Sequence, residues 1–172
     1  MKLLGHLKTI TKHRHMVIRH CFKAGIGFQG LFHDLSKYSV CELKVGAKYY
    51  TGYRSPNDVE RRDIGYSTAW LHHQGRNKHH FEYWHDYNVE TKMMAPIEMP
   101  LKYVKEMFCD RVAASKIYRG KEYTEQHPIE YFRNSKAKDM AHPKTMELLE
   151  SWLVMLAERG EAETFRYIRN LK

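Results

Sequence analysis

Leu31-Phe32-His33-Asp34-Leu35-Ser36-Lys37 is the stretch of this 172-residue chain around which its fold and its candidate site are best understood. His33 and Asp34 directly follow two large apolar residues, so both polar side chains stand at the edge of a buried segment. Lys37 comes three residues after Asp34 and four after His33, and on a helix this spacing places all three on one side. An imidazole beside a carboxylate suits a divalent ion such as Zn, Fe, Mn or Mg. The adjacent His33 and Asp34 favour a metal site, although a helix-end aspartate beside a surface histidine would give the same sequence pattern.

The composition predicts one globular domain over residues 1–172. Hydrophobic residues make up 42% of the chain and charged residues 28%, which is an ordinary globular balance. No apolar run approaches the roughly 20 residues that span a bilayer, and the basic N-terminus lacks the apolar core of a signal peptide. Three cysteines without metal-finger spacing fit reduced thiols (Cys21, Cys41 and Cys109). We therefore expect a cytoplasmic protein with no membrane partner.

The net charge of +9 leaves two interpretations open. Lys and Arg are spread along the chain, so the charge can be a solvated surface, or it can attract a small anionic substrate that contains phosphate. A nucleic-acid partner is not favoured, because no dense basic run is present. The oligomeric state is not indicated.

Hydrophobic periodicity and capping signals predict an all-α fold of six to eight helices. The Ser39–Glu42 spacing is a capping box that opens one of these helices, and Gly75, Gly120 and Gly160 are expected to end others. Residues 76–99 read as irregular, and no strand alternation is evident. The predicted helices cover residues 3–24, 28–35, 40–50, 58–74, 100–119, 128–135, 143–159 and 161–171.

Twelve histidines are a large excess for a chain of this length, and several lie on apolar helix faces. His13 and His20 share the apolar stripe of the first helix. His73 lies on one face with Tyr66 and Trp70, whereas His72 is turned about 100° away. Asp110 lies on an apolar stripe too, and a buried carboxylate is costly unless it is paired or binds a metal. A helical bundle can direct all of these side chains inward to one point.

The order of these residues resembles the H…HD…D pattern of the HD-domain superfamily, with His13, His33-Asp34 and Asp110 in the matching places. His33 to Lys37 is similar to the HDxxK signature of the HD-GYP phosphodiesterases and of myo-inositol oxygenase, although the GYP element is missing. HDLSK, NxHHxEYW (residues 77–84) and EMxxD (residues 106–110) together look like a family of small, uncharacterised bacterial and phage HD-like proteins. The resemblance covers residues 4–115.

This resemblance implies a single HD-domain-like helical bundle with a central metal site. Its metal-site core would span residues 4–119, with C-terminal helices in 128–172 packed against it. One or two divalent ions are expected, with Fe, Mn or Zn preferred and Mg as an option. The predicted metal ligands are His13, His33, Asp34, His73, His80 and Asp110. Lys37 and Asp34 are the predicted catalytic residues, and the predicted supporting or substrate-facing residues are His20, His72, His79, Asn77 and Trp84.

Three functions fit this set of residues. The first is a metal-dependent phosphohydrolase or phosphodiesterase, in which a metal-bound water attacks a small phosphorylated or nucleotide substrate and Lys37 binds a phosphate oxygen. The second is a di-iron oxygenase, because the same ligand types serve iron and dioxygen. The third is a non-catalytic metal-binding protein with a closed site. Ligand types alone do not separate them.

Overall fold

The computed structural model describes residues 2–135 and 137–172, and within them the fold is mostly helical. The all-α prediction is confirmed at this level. Short 3₁₀ turns cover Leu35–Tyr38, Phe81–Tyr83 and Gly120–Glu122. The helices are α1 (Lys2–Lys23), α2 (Gly27–Gly30), α3 (Val40–Tyr49), α4 (Pro56–Ile64), α5 (Thr68–Gln74), α6 (Leu101–Arg119), α7 (His127–Asn134), α8 (Ala137–Met140) and α9 (Pro143–Asn170).

Helix α1 forms where the apolar periodicity predicts it, and it buries one continuous face. The buried residues recur three or four positions apart (His6, Ile10, His13, Val17, His20 and Ala24), which is the spacing of one helix face. Three histidines lie on this face, and the last two, His13 and His20, are seven residues and therefore about two turns apart. Helix α1 packs against both α2 and α6, and the α1–α6 pair is the frame on which the candidate site is built.

Two predicted helices are wrong in their bounds. The predicted helix over 58–74 is divided, because Gly65 adopts a left-handed backbone with φ of 86° and Ser67 opens α5 by accepting a hydrogen bond from the Trp70 amide. The predicted helix over 28–35 ends at Gly30, and His33 and Asp34 lie in the turn that follows. Asp34 itself has φ of 55°, which an aspartate adopts more readily than most residues.

The segment predicted to be irregular contains a two-stranded antiparallel hairpin. Strand β1 (His85–Asn88) pairs with β2 (Met93–Pro96), with His85 opposite Pro96 and Asn88 opposite Met93. Neither strand alternates between buried and exposed residues. The usual sequence signal of a half-buried strand is therefore missing, which is why the hairpin was not predicted.

An apolar core lies on the other side of α6, between this helix and α9. Phe108 is fully buried, and its ring meets Trp152 at 6.0 Å and Phe165 at 5.5 Å between centroids, both edge to face. Helix α9 changes direction at Gly160, where φ is 79°. The predicted helix end at Gly160 is thus a break within one long element, and the freed amide of Glu161 donates to Glu125 Oε1 at 3.0 Å.

Across residues 2–135 and 137–172, no helix combines the length and the apolar content that crossing a membrane requires.

Candidate metal centre

The turn that contains His33 and Asp34 places both of these side chains at the centre of a polar cluster. The His33 amide donates to Gly30 O at 3.1 Å, and the Lys37 amide donates to Asp34 O at 3.0 Å. Arg14 of α1 holds the turn from outside, donating from Nε to His33 O at 3.1 Å and from its terminal nitrogen to Leu31 O. His33 and Asp34 are each only 1% exposed as a result.

One group of possible ligands gathers on the α1–α6 side of Asp34. His13 Nε2 lies 2.8 Å from Asp110 Oδ1 and 3.9 Å from Asp34 Oδ2. His33 Nε2 lies 3.1 Å from Asp34 Oδ2 and 3.7 Å from Asp110 Oδ1. These four residues offer atoms that all lie within 4.8 Å of one another, so α1, the turn and α6 supply two imidazoles and two carboxylates to one place.

A second group gathers on the other side of the same carboxylate. His73 Nε2 lies 3.1 Å from Asp34 Oδ1, and His79 Nε2 lies 3.5 Å from it. His80 Nε2 lies 2.9 Å from His73 Nε2. Asp34, His73, His79 and His80 again fall within 4.8 Å of one another. The irregular turn after α5 lets both His79 and His80 face the cluster, which no regular backbone would allow.

Asp34 is shared by the two groups, with Oδ2 towards the first and Oδ1 towards the second. Both oxygens are buried; Oδ2 is paired with Lys37 Nζ at 2.5 Å, whereas Oδ1 makes no hydrogen bond within the described chain. The same holds for the Nε2 atoms of His13, His33 and His79. Buried polar atoms are nearly always hydrogen-bonded, so these four atoms, gathered around one carboxylate, are candidates for metal ligands.

The spacing of these atoms fits a divalent ion. Nitrogen and oxygen ligands lie about 2.1 Å from Zn and similar ions, which separates neighbouring ligand atoms by about 3.0 Å at 90° and about 3.4 Å at a tetrahedral angle. The separations of 2.8 to 3.9 Å in the first group bracket these values. His13 Nε2 lies 2.8 Å from Asp110 Oδ1 without the alignment of a hydrogen bond, as expected when both lone pairs are directed at a third atom.

Two glutamates support the histidines from behind. Glu106 Oε1 lies 2.8 Å from His33 Nδ1 and 3.2 Å from His79 Nδ1. Glu42 contacts the histidines of α5 in the same way: its Oε2 lies 3.0 Å from His73 Nδ1, and its Oε1 lies 2.7 Å from His72 Nδ1. A carboxylate behind a metal-binding histidine fixes the tautomer that leaves Nε2 free for the ion. His33, His73 and His79 are thus all prepared to bind through Nε2.

Lys37 lies at the edge of the cluster. Its Nζ is 2.5 Å from Asp34 Oδ2. Its side chain is 27% exposed, and that of Asp110 is 18% exposed, whereas His33, Asp34 and His73 are almost fully enclosed. Solvent therefore reaches the cluster along the Lys37–Asp110 edge.

The electrostatics of the cluster couple its carboxylates to its histidines and Lys37. Burial raises the pKa of Asp34, but the charges of His33, Lys37 and His73 outweigh it and hold this pKa well below the usual range. Burial opposes charge on His33, yet the carboxylate of Asp34, helped by Glu106 and Asp110, raises its pKa to about 10. Burial and the neighbouring His79 and His73 lower the pKa of His80 well below 6.5. The cluster thus keeps its carboxylates ionised, with Asp34 held between positively charged neighbours.

A protein-family model matches residues 2–155, which include every residue of the cluster. The chain belongs to DUF5662, a family of unknown function. No curated protein and no solved structure matches it. The resemblance to the HD-domain superfamily stays a prediction.

All six predicted ligands of this DUF5662 chain come together (His13, His33, Asp34, His73, His80 and Asp110). His79, predicted as a supporting residue, joins them as a seventh. Asn77 and His72 lie behind His73: the Asn77 amide donates to Ser36 Oγ and to His73 O, both at 2.8 Å, and the His72 side chain is 22% exposed. His73 is buried and His72 is partly exposed, which agrees with the turn of about 100° between them on the helix.

Two predicted site residues make their contacts elsewhere. His20 Nδ1 lies 3.3 Å from Cys109 O, and its ring packs 5.2 Å from Phe165 in the apolar core. The two turns of α1 between His13 and His20 carry it beyond the cluster. Trp84 donates to Lys78 O at 2.7 Å and packs against Tyr103, so its side chain secures the loop before the hairpin.

The supporting role of Glu106 was missed. Glu42 was predicted as a helix cap that could also reach the site; its amide donates to Ser39 Oγ at 3.4 Å, and its carboxylate turns to the histidines. Glu106 lies four residues before Asp110, on the same side of a helix. That spacing was the available signal.

Proposed function

We propose that this protein is a metal-dependent phosphohydrolase that binds two divalent ions and acts on a small phosphorylated substrate such as a nucleotide. The observation that carries the proposal is the position of Asp34. Its two buried oxygens face different groups of ligands: Oδ2 lies 3.1 Å from His33 Nε2 and is paired with Lys37, and Oδ1 lies 3.1 Å from His73 Nε2. A carboxylate of this kind is suited to bridge two ions.

The residues present fit two ions of moderate hardness. His13, His33, Asp34 and Asp110 would hold one, and Asp34 with His73, His79 and His80 would hold the other. Mixed imidazole and carboxylate ligands suit Mn, Fe or Zn better than Mg, which prefers oxygen ligands. Bound ions of this kind polarise a phosphoryl oxygen and lower the pKa of a water molecule at the site.

Lys37 gives the site its preference for an anionic substrate. Its ammonium group lies at a solvated edge of the cluster, next to Asp110. A phosphate that approaches along this edge meets Lys37 first, and the ammonium group can stabilise the negative charge that develops on the phosphate oxygens. The net charge of +9 favours the same class of substrate.

Metal analysis and a substrate screen test the proposal together. Protein purified without added metal is analysed for Fe, Mn and Zn, and its optical spectrum is recorded. The same preparation is assayed with aryl phosphomonoesters, aryl phosphodiesters and nucleotides. We expect about two ions per chain and hydrolysis of at least one ester, with both lost in His33→Ala and Asp110→Ala.

His20→Ala is the matched control, because it removes a buried imidazole from the same face of α1 but outside the cluster. It should keep its metal. Iron with an oxygen-sensitive spectrum and no ester turnover would contradict the hydrolase proposal and favour the di-iron oxygenase. Bound metal without either reaction would favour a non-catalytic metal protein, and unchanged metal content in His33→Ala would exclude the site itself.

A further inference from the structure

The outward face of α1 carries a row of basic residues. Lys8, Lys12, His15 and Arg19 recur three or four positions apart, so they share one helix face, and all four are exposed. The eleven-residue span corresponds to about 16 Å along the helix axis. This face is opposite to the one that carries His13.

The row has no acidic counterpart nearby in sequence. Asp34 is the first acidic residue of the chain, whereas six Lys and Arg precede it. Lys23 pairs with Glu161 at 3.6 Å, but Lys8, Lys12 and Arg19 have no ion-pair partner in residues 2–135 and 137–172. Because Lys and Arg are spread along the whole sequence, the overall composition does not show this local excess of positive charge. The row is a concentrated positive strip that faces solvent.

An apolar patch lies beyond the C-terminal end of the row, beginning at Phe22 on α1 and including residues of α2 and the turn after it. We define it as Phe22, Phe28, Leu31 and Phe32, which are 56%, 78%, 42% and 59% exposed. Phe22 lies three residues after Arg19 and covers Gly27, where an added Cβ would come within 2.4 Å of the Phe22 ring. The rings of Phe28 and Phe32 meet at 5.5 Å. If each side chain has a total surface of about 200 Å², the patch exposes on the order of 450 Å² of apolar surface. This is the size of the largest apolar patch on a typical monomeric protein, and such patches are often functional.

We propose that the basic row and the apolar patch together bind the surface of an anionic lipid bilayer. Lys8, Lys12 and Arg19 would contact the headgroups, and the patch would enter the boundary between headgroups and acyl chains. A second copy of this surface is disfavoured, because it carries the same positive charge. Single-stranded nucleic acid is disfavoured because the patch lies at one end of the row, whereas stacking aromatics usually alternate with cations along a groove.

This inference does not depend on the metal centre, and it revises the expectation that the protein has no membrane partner. The test is sedimentation of the full chain with vesicles of phosphatidylcholine and phosphatidylglycerol in equal amounts, and with vesicles of phosphatidylcholine alone. Binding to the mixed vesicles only is expected. The Lys8→Gln, Lys12→Gln, Arg19→Gln variant should bind about 100-fold more weakly, and Phe28→Ser about tenfold more weakly.

Two matched controls distinguish binding by this surface from nonspecific effects of positive charge and of exposed apolar side chains. Lys44→Gln, Lys121→Gln, Arg166→Gln removes the same charge from exposed positions elsewhere, and Val89→Ser removes an apolar side chain that is 77% exposed on the hairpin. Both should bind as the parent does. Equal loss in test and control variants, absence of binding to the mixed vesicles, or tighter binding to a single-stranded oligonucleotide would overturn the proposal.

Discussion

Helix α6 contributes to two buried regions with different chemistry. On one side Phe108 meets Trp152 and Phe165, and the contact consists of apolar side chains. On the other side Glu106 and Asp110 face histidines and a second aspartate. The apolar region gains stability from excluding water. The polar region loses hydration on burial, and this cost must be offset by a binding partner. We infer that the apolar region is stable in the protein alone, whereas the polar region is stabilised fully only when ions are bound.

Asp34→Asn is the change that should separate the two regions most strongly. Asn keeps the shape and tolerates the left-handed backbone of Asp34, but it removes the shared charge. We expect both ions to be lost and turnover to fall by about 1000-fold or more, beyond the 10–100-fold cost of changing a supporting residue. Metal content and ester turnover measure this effect. Retention of one ion per chain would show that Asp34 is not shared.

Phe108→Ala tests the apolar side of the same helix. Removal of a buried Phe from a close-packed core should lower the free energy of unfolding by about 3–5 kcal/mol and the melting temperature by roughly 6–20 °C. Metal content at 25 °C should not change, because no ligand is altered. Denaturant unfolding and metal analysis check both parts, and loss of metal in the folded variant would mean that the two regions are not independent.

Glu106→Gln should have a smaller effect that is confined to the metal centre. The amide cannot hold the Nδ1 protons of His33 and His79 as the carboxylate does, so we expect metal affinity to fall by about 10–100-fold. Competition with a chromogenic chelator measures it. Glu60→Gln is the control, since Glu60 is a buried carboxylate that accepts hydrogen bonds from the Ser67 and Thr68 hydroxyls, outside the cluster. The interpretation is wrong if both variants bind metal equally well.

The smallest effect concerns His20, the histidine on the apolar side. Burial lowers its pKa to about 4, below the value of about 6.5 in the unfolded chain. As the pH falls, His20 is therefore protonated in the unfolded chain before it is protonated in the folded chain. The free energy of unfolding is largest above pH 6.5 and decreases as the pH falls towards 4. At pH 5 the loss is about 2 kcal/mol. Denaturant unfolding at pH 8 and pH 5 should show this extra loss in the parent and not in His20→Gln; equal losses would contradict it.

The parts of the fold and site that could be predicted depend on helix periodicity. His13 and Asp110 could be identified because each is a polar residue at a buried position of a regular helix. The break at Gly65 and the left-handed turn at Asp34 were missed, because both depend on single backbone angles that tertiary packing selects. The convergence of His79 and His80 arises from an irregular turn, which has no period to detect.

The glutamates could not be assigned because their partners come from distant segments. Glu42 and Glu106 lie at positions that sequence reasoning assigns to a cap and to a helix face. Their function follows only once α5, the Asp34 turn and the loop after α5 are brought beside them. The hairpin was missed for the opposite reason, since it buries too little of either face to show a pattern.

The wide separation of the ligands along the chain has a consequence for folding. They come from four segments, and the first and last, His13 and Asp110, are 97 positions apart. Ions bound in the two groups would act as crosslinks, closing loops of roughly 20 to 40 residues between successive segments and lowering the entropy of the unfolded chain much as disulfides do. Ion capture would also come late in folding, because short-range contacts cannot assemble the ligands.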